Sequence, residues 1–367
     1  MSDNRLNILI PDGESTFAFL VIPCLAEISN AKIHVLSSKS KNPIRHSKYI
    51  ASFSVDQTKN YDSWLAHIQN VVKEKAIDVI VPIAEIEVRF CIQHKTQIDC
   101  AIIPLPELEA FDIAINKLKL NSFCVAHDVP VPHSVYVKDG IAKVSTVENL
   151  RYPIIIKPLD AEGGGGIVKF ESYKDLQDHL LKHNVQTYFL QEYVKGYDID
   201  CSVLCDNGEI LTYTIQKGFL EADTPYQQQL GIAFLENEEV LNVVKTLMKA
   251  LKWNGIAHVD LRYDEADNTY KVLEINARFW GSLHGSRHVG VNFPKLCVDK
   301  LNGKAVSFVP YAYEPFLQLK GIAKRIRQKP KRLFDFNFII NHTDLKDALK
   351  DPKPMWFKTW YWLQRKF

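Results

Sequence analysis

The residues best suited to chemistry lie in His258–Ser282, HVDLRYDEADNTYKVLEINARFWGS, where Asp260, Glu274, Asn276 and Arg278 fall in what reads as one hairpin. Val259, Leu261 and Tyr263 alternate with polar residues up to a turn at Asp264–Asn268, and Tyr270, Val272, Leu273 and Ile275 run back. With the turn centred on Glu265–Asn268, Asp260 and Glu274 come almost opposite each other across the two strands. A side-chain period of two sets Glu274, Asn276 and Arg278 on one face. Two carboxylates and an amide oxygen there make a hard-oxygen pocket suited to Mg2+ carrying phosphates. An arginine on the same face can hold a phosphoryl or carboxylate group bidentately. The plainer alternative is an exposed hairpin of solvated charges. Against it stands the run Leu273–Arg278, which sets polar groups between aliphatic ones and leads into Phe279–Trp280.

Such a hairpin needs a body to fix it. At 367 residues the chain is long enough for two or three packed domains, and 46% hydrophobic with 24% charged is an ordinary globular composition. The net charge of +2 hides an asymmetry: Ser307–Phe367 holds thirteen Lys+Arg against five Asp+Glu, while the remainder holds 32 against 38. Seven cysteines, none in a C-x-x-C pair, read as buried free thiols of a reducing compartment and not as a zinc site. The N-terminus lacks a cationic start before a long apolar run, and no segment reaches the roughly 18 apolar residues of a membrane span. The expectation is a cytoplasmic protein.

Taken in order, apolar strands at Leu6–Pro11, Lys32–Leu36, Asp78–Pro82 and Ala101–Pro104 alternate with helical patterns near Thr16–Ile28, Asp62–Lys75 and Ile86–His94. That is an open, parallel α/β sheet of about 110 residues, without the G-x-G-x-x-G that would argue for NAD. Asp12, Gly13, Glu14 and Ser15 follow the first strand as a turn able to cap the next helix, and Glu85 follows the third strand. All five sit where such sheets bind ligands, and ordinary loop polarity explains them equally well. Ile115–His127 reads as a helix, closed by the rigid Val129–Pro132. A buried strand, Tyr152–Pro158, carries Lys157 at its end, and Gly163, Gly164, Gly165 and Gly166 follow. Four glycines let backbone N–H groups approach phosphates closely, or make a plain flexible turn. No G-K-[ST] follows, so this is not a Walker A loop. Lys174–His183 and Glu238–Trp253 are helical, Thr187–Val194 is a strand, and Asp206–Gly208 turns Ile199–Cys205 back into Ile210–Gln216. Leu283–Val289 and Asn292–Leu301 close the region near Gly303 as helices.

In that order, Asn116-Lys117, Ile156-Lys157-Pro158, the glycine loop, Gln191-Glu192-Tyr193-Val194 with Asp198, and Asp260 with Glu274-x-Asn276-x-Arg278 resemble an ATP-grasp catalytic module. The likeness runs from about Ile115 to Gly303, and the α/β segment before it resembles the Rossmann-like domain that usually precedes that module. The resemblance implies residues 1–112 as that first domain, 113–194 as a small lobe, 195–306 as a large lobe and 307–367 as an extension. It implies that Lys117 and Lys157 bind ATP phosphates under the glycine loop, and that Gln191, Glu192, Tyr193 and Val194 meet adenine largely through backbone groups. Asp198 stands where the family often has a ribose-binding glutamate, and its shorter side chain puts that contact in doubt. Asp260, often glutamate in the family, would hold Mg2+ with Glu274 and Asn276, Mn2+ being an alternative ion. Arg278 would face the transferred phosphoryl group, and Lys217 would approach the γ-phosphate. His258 and Arg262 flank Asp260 on its face, to touch substrate or phosphate; His258 equally fits a structural histidine.

The implied activity is a carboxylate–amine ligase. A carboxylate attacks the γ-phosphate, cations offset the repulsion between anions, and an amine displaces phosphate from the acyl phosphate. A different acceptor, phosphorylation alone, or a nucleotide-binding scaffold are the alternatives. The pattern from Glu274 to Pro294 is closer to ligase-like members than to biotin carboxylase. Lys217–Leu235 and Trp280–Arg287 would shape the acceptor pocket, with Trp280 either its wall or core. The partners expected are a small carboxylate and a small amine, with no nucleic acid; a homodimer is compatible. In the tail, Lys324, Arg325, Arg327, Lys329, Lys331 and Arg332 and the closing MWFKTWYWLQRKF fit a peripheral membrane or protein contact, or aromatics docked back on the body.

Overall fold

The computed structural model describes residues 5–57, 60–137, 147, 150–157, 166–183, 188–221 and 229–364. Three sheets organise them. The first is parallel, in the order β3-β2-β1-β4-β5, with β1 Leu6–Ile10, β2 Ala31–Ser37, β3 Ile50–Val55, β4 Val79–Ile80 and β5 Ala101–Ile102. Helices α1 Ala18–Leu25, α2 Tyr61–Lys75, α3 Glu85–Gln93 and α4 Leu108–Ala114 connect and cover it. Strand β3 was not anticipated; its side chains are only half-buried, so it lacks the apolar run that marks its neighbours.

The second sheet is small and antiparallel, in the order β6-β9-β7-β8: β6 Ser134–Val137, β7 Ile154–Lys157, β8 Val168–Phe170 and β9 Tyr188–Glu192. Helix α5, Lys117–Ala126, precedes it with Asn116 as N-cap, and α6, Tyr173–Lys182, packs on it with Ser172 as N-cap. The third sheet has six strands, in the order β14-β13-β10-β11-β12-β15. They are β10 Asp198–Asp206, β11 Glu209–Leu220, β12 Gly231–Leu235, β13 Gly255–Asp264, β14 Thr269–Asn276 and β15 Pro315–Leu317. Asn207 and Gly208 both take positive φ (47° and 87°), which matches the right-handed twist of β10 and β11 across a two-residue turn. Helix α7, Glu238–Ala250, ends three residues short of the predicted Trp253, because Lys252 turns left-handed at φ 47°.

One face of the six-stranded sheet is apolar. Ile199, Cys201, Val203, Ile215, Val259, Leu261, Val272 and Ile275 bury there with Val244, Leu247 and Met248 of α7. The same core takes Leu120 and Cys124, so α5, expected in the small lobe, docks under the large sheet instead. A second core joins this sheet to the first. Phe279, Trp280, Leu283 of α8 (Leu283–His288) and Phe293, Cys297 and Val298 of α9 (Phe293–Leu301) bury among Ile8, Val21, Leu25 and Val35. All seven cysteines are free and six are buried.

The tail is part of this body. β15 adds an edge strand to β12 and is followed by α10 Leu319–Gln328, α11 Phe336–Asn341, α12 Leu345–Lys350 and α13 Lys353–Leu363. On α13, Phe357 stacks on His46 with ring centroids 3.4 Å apart and the Tyr361 hydroxyl lies 3.1 Å from His46 Nε2. Trp356, Trp360 and Trp362 of the same helix stay more than half exposed. Among the described residues no helix is long and apolar enough to cross a membrane.

Candidate active site

The polar face of the six-stranded sheet is a grid of functional side chains. Strand register sets Glu274 opposite Asp260, Asp260 opposite Asp200, and Asp200 opposite Gln216. One step along, Asn276 faces His258, His258 faces Ser202, and Ser202 faces Thr214. The alternation that buries Ile199, Cys201 and Val203 on one side delivers Asp198, Asp200 and Ser202 to the other. A bulge between Asp260 and Leu261 leaves Leu273 as the extra residue of β14 and keeps Glu274 and Asn276 in line with the carboxylates.

Three carboxylates share this face with little to neutralise them. Asp260 is pushed well above the usual carboxylate range by burial, with Glu274 and Asp200 adding to it. Asp200 is pushed up to about 7, again by burial first, against a hydrogen bond from Gln216 Nε2 at 3.0 Å. Asn276 Nδ2 donates to Asp260 Oδ2 at 3.3 Å. Asp260 Oδ1 is buried and accepts no hydrogen bond among the described residues, although His258 Nε2 lies 3.2 Å away. His258 itself is held down to about 3 by burial and by the Arg278 charge, so the ring is neutral. Its Nδ1 pairs with Ser202 Oγ at 2.8 Å and its face stacks on Trp280 at 5.2 Å, 9° from parallel. Trp280, 2% exposed, is therefore core and the backing of the site histidine at once.

Lysine meets these carboxylates from the small sheet. Lys157, at the end of β7, is 7% exposed. Burial lowers its ammonium to about 8; Glu274, Asp260 and Asp198 pull it up and Lys117 pushes it down. Those couplings place Lys157, Lys117 and the carboxylates in one electrostatic neighbourhood. Arg278 closes the other side. Its Nε lies 3.4 Å from Glu85 Oε1, its Nη1 donates to the Phe279 carbonyl at 2.9 Å, and its guanidinium sits 4.7 Å from the Phe17 ring centre.

Other expected residues are committed to the scaffold. Glu192 accepts from Arg151 N (2.9 Å) and Nε (3.1 Å), and its own N–H donates to the His133 carbonyl. Tyr193 N–H donates to the Pro153 carbonyl, and the Val194 carbonyl accepts from Arg262 Nε at 2.7 Å. Gln191 Nε2 donates to Ser134 Oγ at 3.1 Å. The Val194 N–H finds no partner among the described residues. Arg262 also clamps Asp198 and the Gly196 carbonyl, so it reaches the framework and not a substrate. Lys217 is not brought to the carboxylates. It pairs with Ile199, on the apolar side of β10, and its ammonium lies 3.2 Å from the Tyr197 ring centre. Gly163, Gly164 and Gly165 lie outside the described residues; Gly166 has φ 73°.

Asp12 does not cap α1. Its carboxylate, 1% exposed, accepts from Ile83 N (3.0 Å) and Ala84 N (2.7 Å), fixing the entry to α3. Glu14 accepts from the Ser38 hydroxyl at 2.8 Å, and Gly13 leaves no room for a Cβ, which would meet Val35 Cγ1 at 2.3 Å. Glu85, among the five loop candidates, adjoins the site through Arg278. Asp200 and Gln216 were missed, and the signal was present: Asp198-Ile199-Asp200-Cys201-Ser202-Val203 alternates polar and apolar, as one polar-faced strand does.

Residues 114–282 match the protein family described as ATP-grasp domain. D-aspartate ligase of Enterococcus faecium (strain Aus0004) is 23% identical over 221 residues, covering 53% of this chain and 52% of that protein. The chain thus spans about half the length of that curated relative. The L-amino acid ligase from Bacillus licheniformis superposes with a TM-score of 0.60 at 18% identity, over 82% of this chain and 74% of that one. N5-carboxyaminoimidazole synthetase from Staphylococcus aureus complexed with ADP gives 0.68 at 16% identity, over 89% and 86%. At these identities the structural likeness shows the fold.

Proposed function

We propose, from the premise that residues 114–282 are an ATP-grasp domain, that this chain is an ATP- and Mg2+-dependent ligase joining a carboxylate to an amine. The observation that carries the reading is the set of half-buried carboxylates, Asp200, Asp260 and Glu274, on one sheet face, with Lys157 of the small sheet coupled to Glu274 and Asp260. Hard oxygens crowded until their protons are retained are a site short of cations, and Asp260 Oδ1 is an acceptor with no donor among the described residues. The residues therefore fit Mg2+, or Mn2+, held by Asp260, Glu274 and Asn276, with Asp200 supporting from the next strand. When bound, the ion neutralises charge between the phosphates of ATP and polarises them toward transfer.

Lys157 and Lys117 bind phosphate oxygens, and Lys157 recovers its full charge as the nucleotide arrives, since an anion favours the ammonium. Gly163–Gly166 covers the phosphates. The unpaired Val194 N–H meets the adenine edge, while Gln191, Glu192 and Tyr193 hold that segment in place through Ser134, Arg151 and Pro153. Asp198 stays with Arg262, close to the ribose. Arg278 orients the acid substrate for attack on the γ-phosphorus; ADP leaves, and the amine then displaces phosphate from the acyl phosphate, losing one proton as the amide forms. Neutral His258 keeps a second positive charge from competing with Arg278. The likeness to a D-aspartate ligase and an L-amino acid ligase supports amino acids as the substrate class.

The test is phosphate release from ATP and Mg2+ over a panel of carboxylates crossed with amines, amino acids of both hands included, with Glu274→Gln as the blank. Release that needs one acid and one amine together, and is lost in the variant, supports the ligase. Release with the acid alone points to another acceptor or to phosphorylation only. Tight, metal-independent nucleotide binding without release in any pairing overturns the reading in favour of a nucleotide-binding scaffold.

A further inference from the structure

Away from the carboxylate grid, three side chains from three separate elements converge on one point. His288 closes α8, Glu314 precedes β15, and His342 follows α11. The donor atoms His288 Nε2, Glu314 Oε2 and His342 Nδ1 lie within 4.8 Å of one another. Both of those nitrogens are buried, and neither has a hydrogen-bond partner among the described residues. Their distances to the shared carboxylate oxygen are 3.5 and 3.6 Å.

Those distances are long for a hydrogen bond and close to the spacing of two ligands on one metal ion. A histidine–carboxylate hydrogen bond runs about 2.7–3.2 Å; His284 Nδ1 to Asp344 Oδ1 lies within that range at 2.8 Å, and His133 Nδ1 to Glu192 Oε1 is stretched to 3.4 Å. Donors at about 2.0–2.1 Å around a tetrahedral zinc ion stand about 3.3–3.5 Å apart. The two separations to Glu314, 3.5 and 3.6 Å, come close to the edges of such a tetrahedron, and the two histidine donors lie within 4.8 Å of each other. His284 provides the contrast within the fold. Its second nitrogen is taken by the Leu20 carbonyl, and the nearby Asp347 by Arg287, so that cluster is closed without an ion.

The donors are also held from behind. Ala312 N–H bonds to the Val289 carbonyl beside His288, Phe234 N–H to the Glu314 carbonyl, and Leu317 N–H to the His342 carbonyl at 2.8 Å. Phe316 backs the His288 ring at 5.4 Å and Phe338 the His342 ring at 5.2 Å. Glu314 is half exposed, which leaves a path for the ion and a position for a water.

We propose that His288, Glu314 and His342 form a binding site for a borderline divalent metal, Zn2+ foremost, that clips the C-terminal tail to the helix following the catalytic hairpin. Two imidazoles and one carboxylate select Zn2+, Co2+ or Ni2+ over Mg2+, which takes oxygens. The clip has a route to the candidate active site. Helix α8 carries Ser286, whose hydroxyl meets Thr214 at 3.1 Å, and the preceding Ser282 accepts from Gln216 Nε2 at 2.8 Å.

The experiment uses the full chain with any affinity tag removed, dialysed after Zn2+ loading. Metal per chain, affinity against a chromophoric zinc chelator, and Tm with and without EDTA are measured for wild type, His342→Gln and Glu314→Gln. Asp260→Asn/Glu274→Gln serves to exclude binding at the carboxylate grid. The expected result is one zinc per chain in wild type and in that double variant. Affinity falls at least 100-fold in His342→Gln, EDTA lowers the wild-type Tm and leaves that of His342→Gln unchanged, and Co2+ loading gives the intense visible bands of a tetrahedral site. Zinc retention equal in wild type and His342→Gln, or lost with Asp260→Asn/Glu274→Gln, overturns the proposal. So does failure of wild type to hold zinc against micromolar chelator, a readout that needs no variant to fold.

Discussion

The two antiparallel sheets carry opposite charge and are built differently. The small sheet holds Lys157, and its hydrophobic cluster, from Val137 to Leu190, contains, among the described residues, only those of its own segment. The six-stranded sheet holds Asp200, Asp260 and Glu274 and is fused to the N-terminal sheet through a core running from Ile8 to Val298. The first, the flap, has a core of its own, and the second, the platform, shares a core with the N-terminal sheet; Arg262 of the platform joins them through the Val194 and Gly196 carbonyls.

The largest effect expected is from breaking the platform's charge. Asp260→Asn or Glu274→Gln should lower ATP turnover by about 10²–10³-fold or more, with the fold retained; initial rates of phosphate release with circular dichroism measure both. Removing the flap's charge should act on binding. Lys157→Ala should raise the nucleotide Kd by about 10–100-fold, read by titration calorimetry. Because the free Lys157 titrates near 8 and a bound anion raises that value, wild-type affinity should weaken as pH climbs above 8. A flat profile in Lys157→Ala would tie the effect to this group.

The packing contrast can be tested directly. Trp280→Ala, in the joint between the first and third sheets, should cost about 3–5 kcal/mol in the main unfolding transition. Leu176→Ala, on α6 beneath the small sheet, should cost about 2–4 kcal/mol and speed amide exchange in that sheet alone. Equal exchange in both sheets would dissolve the distinction. Asp200 sharpens it further. An acid held near 7 in the fold and lower when unfolded is stabilising only while protonated, so stability falls as pH rises from about 4 to about 7. Asp200→Asn should remove that slope, raising Tm by about 3–6 °C at pH 8 and leaving it unchanged near pH 4. The smallest effect is that of Lys217→Ala, less than about five-fold on turnover, since Lys217 lies on the face away from the carboxylates and stacks on Tyr197.

What sequence made legible was whatever local periodicity controls. The Asp260–Glu274 pairing followed from alternation and a turn of known length. The α/β alternation of the first segment needed no more than apolar runs separated by helical ones. Errors arose where a residue's partner lies far along the chain. The turn Asp12–Ser15 looked able to cap the adjacent helix; Ser15 Oγ accepts from Phe17 N there, while the Asp12 carboxylate serves the start of a helix some 71 residues on. Lys217 shared a motif with Gln216, but one step along a strand reverses the face, and the register to β10 decided which of the two reaches Asp200. The resemblance put helix α5 in the small lobe; its Leu120 and Cys124 bury in the core of the larger sheet.

By itself, then, the sequence determined element type, the hairpin and its paired carboxylates, because these depend on neighbours within a few residues. The tertiary structure alone decided that Asp200 completes the cluster, that Arg278 turns toward Glu85, and that His288, Glu314 and His342 meet. Each is a contact between residues separated by tens to hundreds of positions, and such contacts are fixed by strand register and core packing, which no local pattern encodes.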